Sequence, residues 1–421
     1  MLAVLRRRDF AMLWFAGLIS MIGDGMLAVA LPIAVYHLTG SALATGGVLI
    51  ANKLSALALG SFAGVFVDRW DRQRTMVTAN VIRALLLLPL LAVNSADRIW
   101  IVYVIAAALS AVGQFFRPAE NALLPLLVDR DQLVPANSLN ALGANLSGLV
   151  GPALGGVTAA WIGLGGVAAV DSVSYVIALV MIAAIALPAQ RERATTQGSP
   201  REKARSLGRD WLEGLRSVSG NPTLRVVFTA FALASLGEGV WQTAFWGYVD
   251  QALEGGAPEA GWLLSAQAVG GLIGATLIGA RARNRHPLAL LGWGSMGLGL
   301  IDLALFNYPA FVGGIGLGLG LMAVVGLPAT AFGTGYTTLL QTESADENRG
   351  RVFGALLAVS ALFMIAGAVF AGFAMERFSA VTVLTFDGLG YVFAGLYALR
   401  ALMSGGARQP VTPTVERLVT P

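Results

Sequence analysis

Long apolar runs, each about the length needed to cross a bilayer, alternate with short polar turns through nearly the whole chain. Twelve runs can be bracketed, near 11–37, 43–67, 75–95, 98–117, 137–162, 167–188, 224–250, 259–280, 286–306, 309–334, 352–375 and 380–402. A span takes roughly 20 residues. Backbone polar groups inside a bilayer must find partners within the protein, so the pattern predicts helices. The turns alternate in chemistry. Thr39-Gly40, 96–98, 163–166, 250–259, Asn307-Tyr308 and 376–379 are short and nearly uncharged. The other set carries the arginines: Arg6, Arg7, Arg8, Arg69, Arg72, Arg74, Arg117, Arg130, the basic residues of 191–225, Arg281, Arg283, Arg285, Arg349, Arg351, Arg400, Arg408 and Arg417 fall on one side. Arg98 and Arg377 fall opposite, and Lys53 and Arg83 lie inside spans. By the positive-inside rule both termini and the long central loop are expected in the cytoplasm, with the chain a multi-pass protein of the cell (inner) membrane.

The halves resemble each other. Ser20–Gly25 (SMIGDG) lies 214 positions before Ala234–Gly239 (ASLGEG). At the same offset Gly60 meets Gly274 and Arg69 meets Arg283, while DSVSYV from Asp171 echoes DGLGYV from Asp387. Matches in the same order indicate a six-plus-six duplication, with parallel repeats related by an axis along the membrane normal. The expected fold is an all-α membrane protein of twelve transmembrane helices in two pseudo-symmetric six-helix bundles. Residues 1–190 form the N-terminal bundle and 191–221 a cytoplasmic linker, with a short surface helix expected over 207–218. Residues 222–403 form the C-terminal bundle, and 404–421, with their prolines and glycines, read as a disordered tail.

Composition agrees with the pattern. Hydrophobic residues make up 56% of the chain and charged residues 12%, with a mean hydropathy of +0.71. A soluble domain carries about 25% charged residues. With no cysteine, disulfides, thiolate metal sites and cysteine nucleophiles are excluded. The net charge of +4 is accounted for by topology rather than nucleic-acid binding. The first span is too long for a signal h-region of about 7–15 residues. Neither lysine, Lys53 after Asn52 nor Lys203 after Glu202, sits in a P-loop. His37 and His286 show no metal-ligand spacing, so no metal is expected. Gly292–Gly297 matches G-x-G-x-x-G, but inside a span it reads as helix packing.

Charges within the spans are the candidate chemistry. A charge at the bilayer centre costs about 2.5–3.5 kcal/mol on insertion scales, so such residues face a partner or a wet cavity. Counted from the cytoplasmic end, Asp24, Lys53 and Glu238 each lie about 13–14 residues in, roughly 20 Å deep at a rise of 1.5 Å per residue. Asp24 and Lys53, on neighbouring antiparallel spans, are expected to pair. Glu238 has no evident cation, since Gln267 takes the place of Lys53, which makes it the better proton carrier. Arg83 lies within snorkelling reach of the cytoplasm and is expected to pair with a loop acid. Asp171 and Asp387 are expected nearer the external face as caps or polar contacts, and Asp302 at water. Met21, Met26, Asn140, Asn145, Trp241, Phe245, Trp246 and Gln267 are candidates to line a substrate cavity.

Between spans two and three stands Gly64-Val-Phe-Val-Asp68-Arg69-Trp70-Asp71-Arg72. This resembles the G-x-x-x-D-R-x-x-R hairpin of the major facilitator superfamily. Gly64, Asp68, Arg69 and Arg72, with Arg83 nearby, are the candidate cytoplasmic gate. Glycine allows close helix approach, the acid suits a helix N-terminus, and arginines can bridge carboxylates, which together make a breakable latch. The second half has Ala282 where Asp68 would fall, which argues against a symmetric latch. Gly151-Pro152-Ala-Leu-Gly155-Gly156 is similar to the glycine-proline signature of the superfamily's drug–proton antiporters, with Ser147 in place of one upstream glycine. Proline frees a carbonyl and kinks the helix. Arg8-Asp9-Phe10, Leu13-Trp14, SMIGDG, Phe116-Arg117-Pro118-Ala119, Ala136-Asn137 and Arg349–Gly354 resemble the macrolide-efflux and enterobactin-exporter branch, over roughly Arg8–Leu402. The resemblance implies a proton-driven, non-enzymatic exporter of bulky amphipathic molecules, of drug, macrolide or siderophore type. It would work by alternating access as a monomer, without a cofactor. Other readings of the residues are a lysophospholipid or lipid mover, an importer on the same scaffold, and a non-transporting membrane receptor or scaffold.

Overall fold

The computed structural model describes residues 2–67, 70–186, 214, 216–282, 285–344 and 348–404, and is all-helical there. Helix α1 (Arg8–Thr39) stops where Gly40 turns left-handed at φ 63°, a conformation glycine adopts without strain. Helix α2 (Ala42–Val67) follows. Asp71 caps α3 (Arg72–Leu87), its carboxylate accepting from the Arg74 amide. Next come α4 (Ile99–Leu127) and a helical run over Leu133–Ala183. That run is 51 residues long and breaks at Gly163 (φ 67°, ψ −173°). Gly151 packs on Gly25, while Asp171 packs on Gly23. A straight helix would hold residues 151 and 171 about 30 Å apart. Both meet one turn of α1, so the chain doubles back into α5 (133–162) and α6 (164–183).

The second half repeats the sequence of elements: α7 (Pro222–Gln251), α8 (Ala257–Ala282), α9 (Pro287–Asn307), α10 (Gly316–Glu343), α11 (Arg349–Ala374) and α12 (Ala380–Met403). Asn221 caps α7 by accepting from the Thr223 and Leu224 amides, and Ser379 caps α12. Among the described residues eleven runs are long and apolar enough to cross a membrane. With the hairpin at Gly163 counted twice, they make twelve spans.

Packing follows the duplication. In the N bundle α1 lies on α5 and α6, α2 on α4, and α3 on α4 and α6; in the C bundle α7 lies on α11 and α12, α8 on α10, and α9 on α10 and α12. The bundles meet through α5 with α8, and through α2 with α11 and α7. These contacts gather at the end carrying the α1–α2, α5–α6, α7–α8 and α11–α12 turns. There Gly46 abuts Thr243, Gly372 abuts Leu43, and Gly156 abuts Ala257. Gln251 donates to the Tyr36 hydroxyl (2.8 Å) and Ser265 to the Leu149 carbonyl (2.6 Å). Along the same side of α5, Pro152 meets Gly261, but Gly148 has nothing within 4 Å. These contacts close the seam at this face.

Asp68 and Arg69, most of the 191–221 linker and the tail from 405 lie outside the described residues. Of the expected linker helix, 216–218 are helical, and Val218 is buried among C-bundle residues that include Leu224 and Leu356.

Candidate functional site: a charged hollow in each bundle

The glycines around Asp24 place it at a helix crossing. A side chain at Gly23 would collide with Asp171 and stand 2.7 Å from the Ser174 hydroxyl, and one at Gly25 would stand 3.1 Å from the Gly151 Cα. The absence of side chains lets α5 and α6 press against α1 on either side of the acid. Asp24 opens into a hollow of about 560 Å³, shared with Lys53, Arg83, Gln114, Arg117 and Tyr175. The Tyr175 hydroxyl donates to its Oδ1. The Arg83 guanidinium lies 4.7 Å from the Phe116 ring centroid and 5.4 Å from that of Tyr175, a cation–π arrangement. Asp171 is fully buried and accepts from Ser174 at 3.0 Å. Glu120, on α4, has Arg117 and Arg83 as electrostatic neighbours.

The C bundle builds the same crossing. A side chain at Gly237 would collide with Asp387 of α12, and Tyr391 donates to the Ala234 carbonyl at 3.1 Å. Glu238 accepts from Gln242 at 2.6 Å. It lines a hollow of about 270 Å³ with Asp302, Asp387, Tyr391, Trp241, Gln267, Phe231 and Phe332. No Lys, Arg or His is among the lining residues.

Several expectations are corrected. No Asp24–Lys53 ion pair forms. Helix α2 leans on α7 and α11 of the other bundle, which brings Lys53 into the electrostatic neighbourhood of Glu238. Glu238, expected to lack a cation, thus has one nearby across the seam, although its side-chain hydrogen bond is to Gln242. Arg83 is 7% exposed and lines the Asp24 hollow; it lies over the Phe116 and Tyr175 rings, with Glu120 and Asp171 as its acidic neighbours. Asp302, expected at water, is 8% exposed inside the C-bundle hollow. Asp171 and Asp387 are neither caps nor near a helix end: each lies against the midplane Gly-acid-Gly of the facing helix.

Among the candidate lining residues, Trp241 and Gln267 face the C-bundle hollow. Met26, Phe245 and Trp246 are packed in the core, so they do not line a cavity at the midplane. Met21 sits beside Gly143. Asn140 is half-buried and Asn145 exposed; neither lines the two hollows. Of the expected gate, Gly64 lies in α2, and Arg72 donates to the Ala122 carbonyl at 2.8 Å, tying α3 to α4. The glycine-proline stretch works on two sides: Gly151 and Gly155 receive α1 at Gly25 and Met26, while Pro152 and Gly156 receive α8 at Gly261 and Ala257. Among the described residues no three His, Asp or Glu are arranged to hold a metal ion. Tyr175, Tyr391 and Glu120 are residues that the sequence alone does not single out. The repeated D-x-x-x-Y of α6 and α12 carried the signal for the tyrosines, since i and i+4 share a helix face.

Similarity to known proteins points the same way. The chain is 28% identical to the multidrug efflux pump Tap of Mycolicibacterium fortuitum, over 83% of this chain and 85% of that one. It is 24% identical to macrolide efflux protein A of Streptococcus pyogenes, over 87% and 89%. A bacterial homologue of the iron transporter ferroportin in an inward-facing state superposes with a TM-score of 0.70 at 16% identity, covering 95% of this chain and 99% of that one. A POT family transporter superposes with a TM-score of 0.74 at 10% identity, covering 94% and 96%. The Major Facilitator Superfamily pattern matches residues 13–368. Two duplicated bundles meeting over midplane charges, on a sequence of that pattern, identify the chain as a multi-pass membrane transporter that belongs to the Major Facilitator Superfamily.

Proposed function

We propose that this transporter exports bulky amphipathic organic molecules, of the drug or macrolide type, in exchange for protons. The observation that carries the reading is the charged hollow within each bundle: Asp24 stands among cations and apolar walls in one, and Glu238, Asp302 and Asp387 stand among aromatic and apolar walls in the other. Buried ionisable groups in spanning helices mark ion and substrate pathways. A hollow with few polar groups among aromatic side chains suits an amphipath. The efflux activities named for the Tap and macrolide relatives support the direction of transport. The positive-inside bias puts both termini in the cytoplasm. The sealed end then faces outside, and this arrangement is open to the cytoplasm. Rocking the bundles about the midplane would expose the same groups outward, where they collect protons as the substrate leaves.

The test uses everted membrane vesicles from cells lacking other pumps, with ethidium and erythromycin as probes. Proton-driven export predicts accumulation of at least one probe on energisation, and its collapse on adding a protonophore. Accumulation unaffected by the protonophore, or none of either probe beyond vesicles without the protein, contradicts the reading.

A further inference from the structure

The two halves repeat each other in backbone and in carboxylates but not in countercharge. The N-bundle acids Asp24, Glu120 and Asp171 are accompanied by Arg83 and Arg117. The C-bundle acids Glu238, Asp302 and Asp387 line a hollow that no cation lines. Asp302 is 8% and Asp387 5% exposed. Neither Asp387 oxygen has a hydrogen-bond partner, although the side chain faces the hollow.

Three packed helices supply the groups that face Asp387. Asp302 comes from α9, Glu238 from α7 and Tyr391 from α12 itself. Lys53 of α2 is an electrostatic neighbour of Glu238 and does not line this hollow. Carboxylates crowded away from water and from cations cannot all carry charge, and neighbours of this kind hold a proton in place of a counter-ion. The same three acids are not arranged to ligate a metal.

We propose that Asp302 and Asp387 form the proton-binding site of the transporter, and that Glu238 passes the proton between this pair and water. The proton leaves the Asp302–Asp387 pair for the Glu238 carboxylate and then for water, and returns by the same route in the opposite arrangement. Coupling is thereby confined to the C bundle. The Asp24 side, where Arg83 and Arg117 accompany the acids, is left to bind substrate. The inference deepens the proton-exchange reading and rests on it for its role in transport, but proton binding can be read without any substrate.

The experiment is infrared difference spectroscopy of the full-length protein in lipid at neutral pH, in water and heavy water, following the carbonyl stretch of protonated carboxyl groups. The wild type should show an exchangeable band in this region. Asp387→Asn and Asp302→Asn should each lose most of it, and Asp24→Asn should keep it. Each aspartate variant carries the expectation independently, so poor folding of one leaves the other as the test. Spectra of folded Asp302→Asn or Asp387→Asn that superimpose on the wild type overturn the site. Loss of the band alongside vesicles that show no proton exchange would leave the site standing and overturn the export reading instead.

Discussion

The side-chain amide of Gln251 donates to the Tyr36 hydroxyl at 2.8 Å, joining the last turn of α7 to the last turn of α1 across the bundle seam. The bond exists only while that face is closed. A hydrogen bond of this kind contributes about 0.5–1.5 kcal/mol. Gln251→Leu should therefore shift the population roughly two- to tenfold toward the arrangement open at this face. Distances between spin labels placed on the α1–α2 and α7–α8 turns would report the shift.

A larger effect is expected at Gly156. An added Cβ there would stand 2.9 Å from the Ala257 carbonyl carbon and 3.1 Å from the Pro258 Cα. Backbone cannot swing aside as a side chain does, and overpacking costs about 1–3 kcal/mol. Gly156→Val should disfavour the closed face by roughly five- to hundredfold in population. The same label pair measures it, and an unchanged distance distribution would show that α5 and α8 do not form the seal.

Gly237 and Asp387 allow packing and charge to be separated. Gly237→Ala drives a methyl group into the Asp387 carboxyl and toward the Tyr391 ring, 3.2 Å away. It should lower thermal stability by about 1–3 kcal/mol. Combining it with Asp387→Gly should restore much of the stability while transport stays lost. Thermal unfolding in detergent and probe uptake in vesicles give the two readouts.

Arg83 is held by the rings of Phe116 and Tyr175. Buried cation–π contacts contribute about 2 kcal/mol, and removing the charge also leaves Asp171 without a neighbouring cation and Glu120 with Arg117 alone. Arg83→Met should destabilise the N bundle by at least that amount, and Arg83→Lys by less. Unfolding midpoints of the two variants in one detergent would check the order.

Much of this architecture was legible in the chain. Span length and the arginine-bearing turns predicted the helices, the turn region around Gly163 and the duplication, because lipid leaves the backbone few alternatives. The Gly-acid-Gly pairs at Asp24 and Glu238 were visible for the same reason: an intramembrane acid is expensive anywhere else. What could not be read was direction around each helix. Helix α7 is apolar on nearly every face, so periodicity could not tell that Phe245 and Trp246 turn into the core while Trp241 turns toward the hollow. Depth counted along one span also says nothing about which bundle a side chain faces. Lys53 was therefore assigned to Asp24 on its sequence neighbour rather than to Glu238. Asp302 was assigned to water because its approach to α7 and α12 depends on packing that no local pattern records.

The central claim is that a carboxylate at the bundle seam exchanges protons for substrate. It is tested most directly by measuring ethidium movement and internal pH together in proteoliposomes, for the wild type and Glu238→Gln. The account predicts that wild-type dye flux moves protons in the opposite direction, and that Glu238→Gln still binds dye but loses dye-coupled proton movement. Dye and proton fluxes in Glu238→Gln equal to those of the wild type would contradict it.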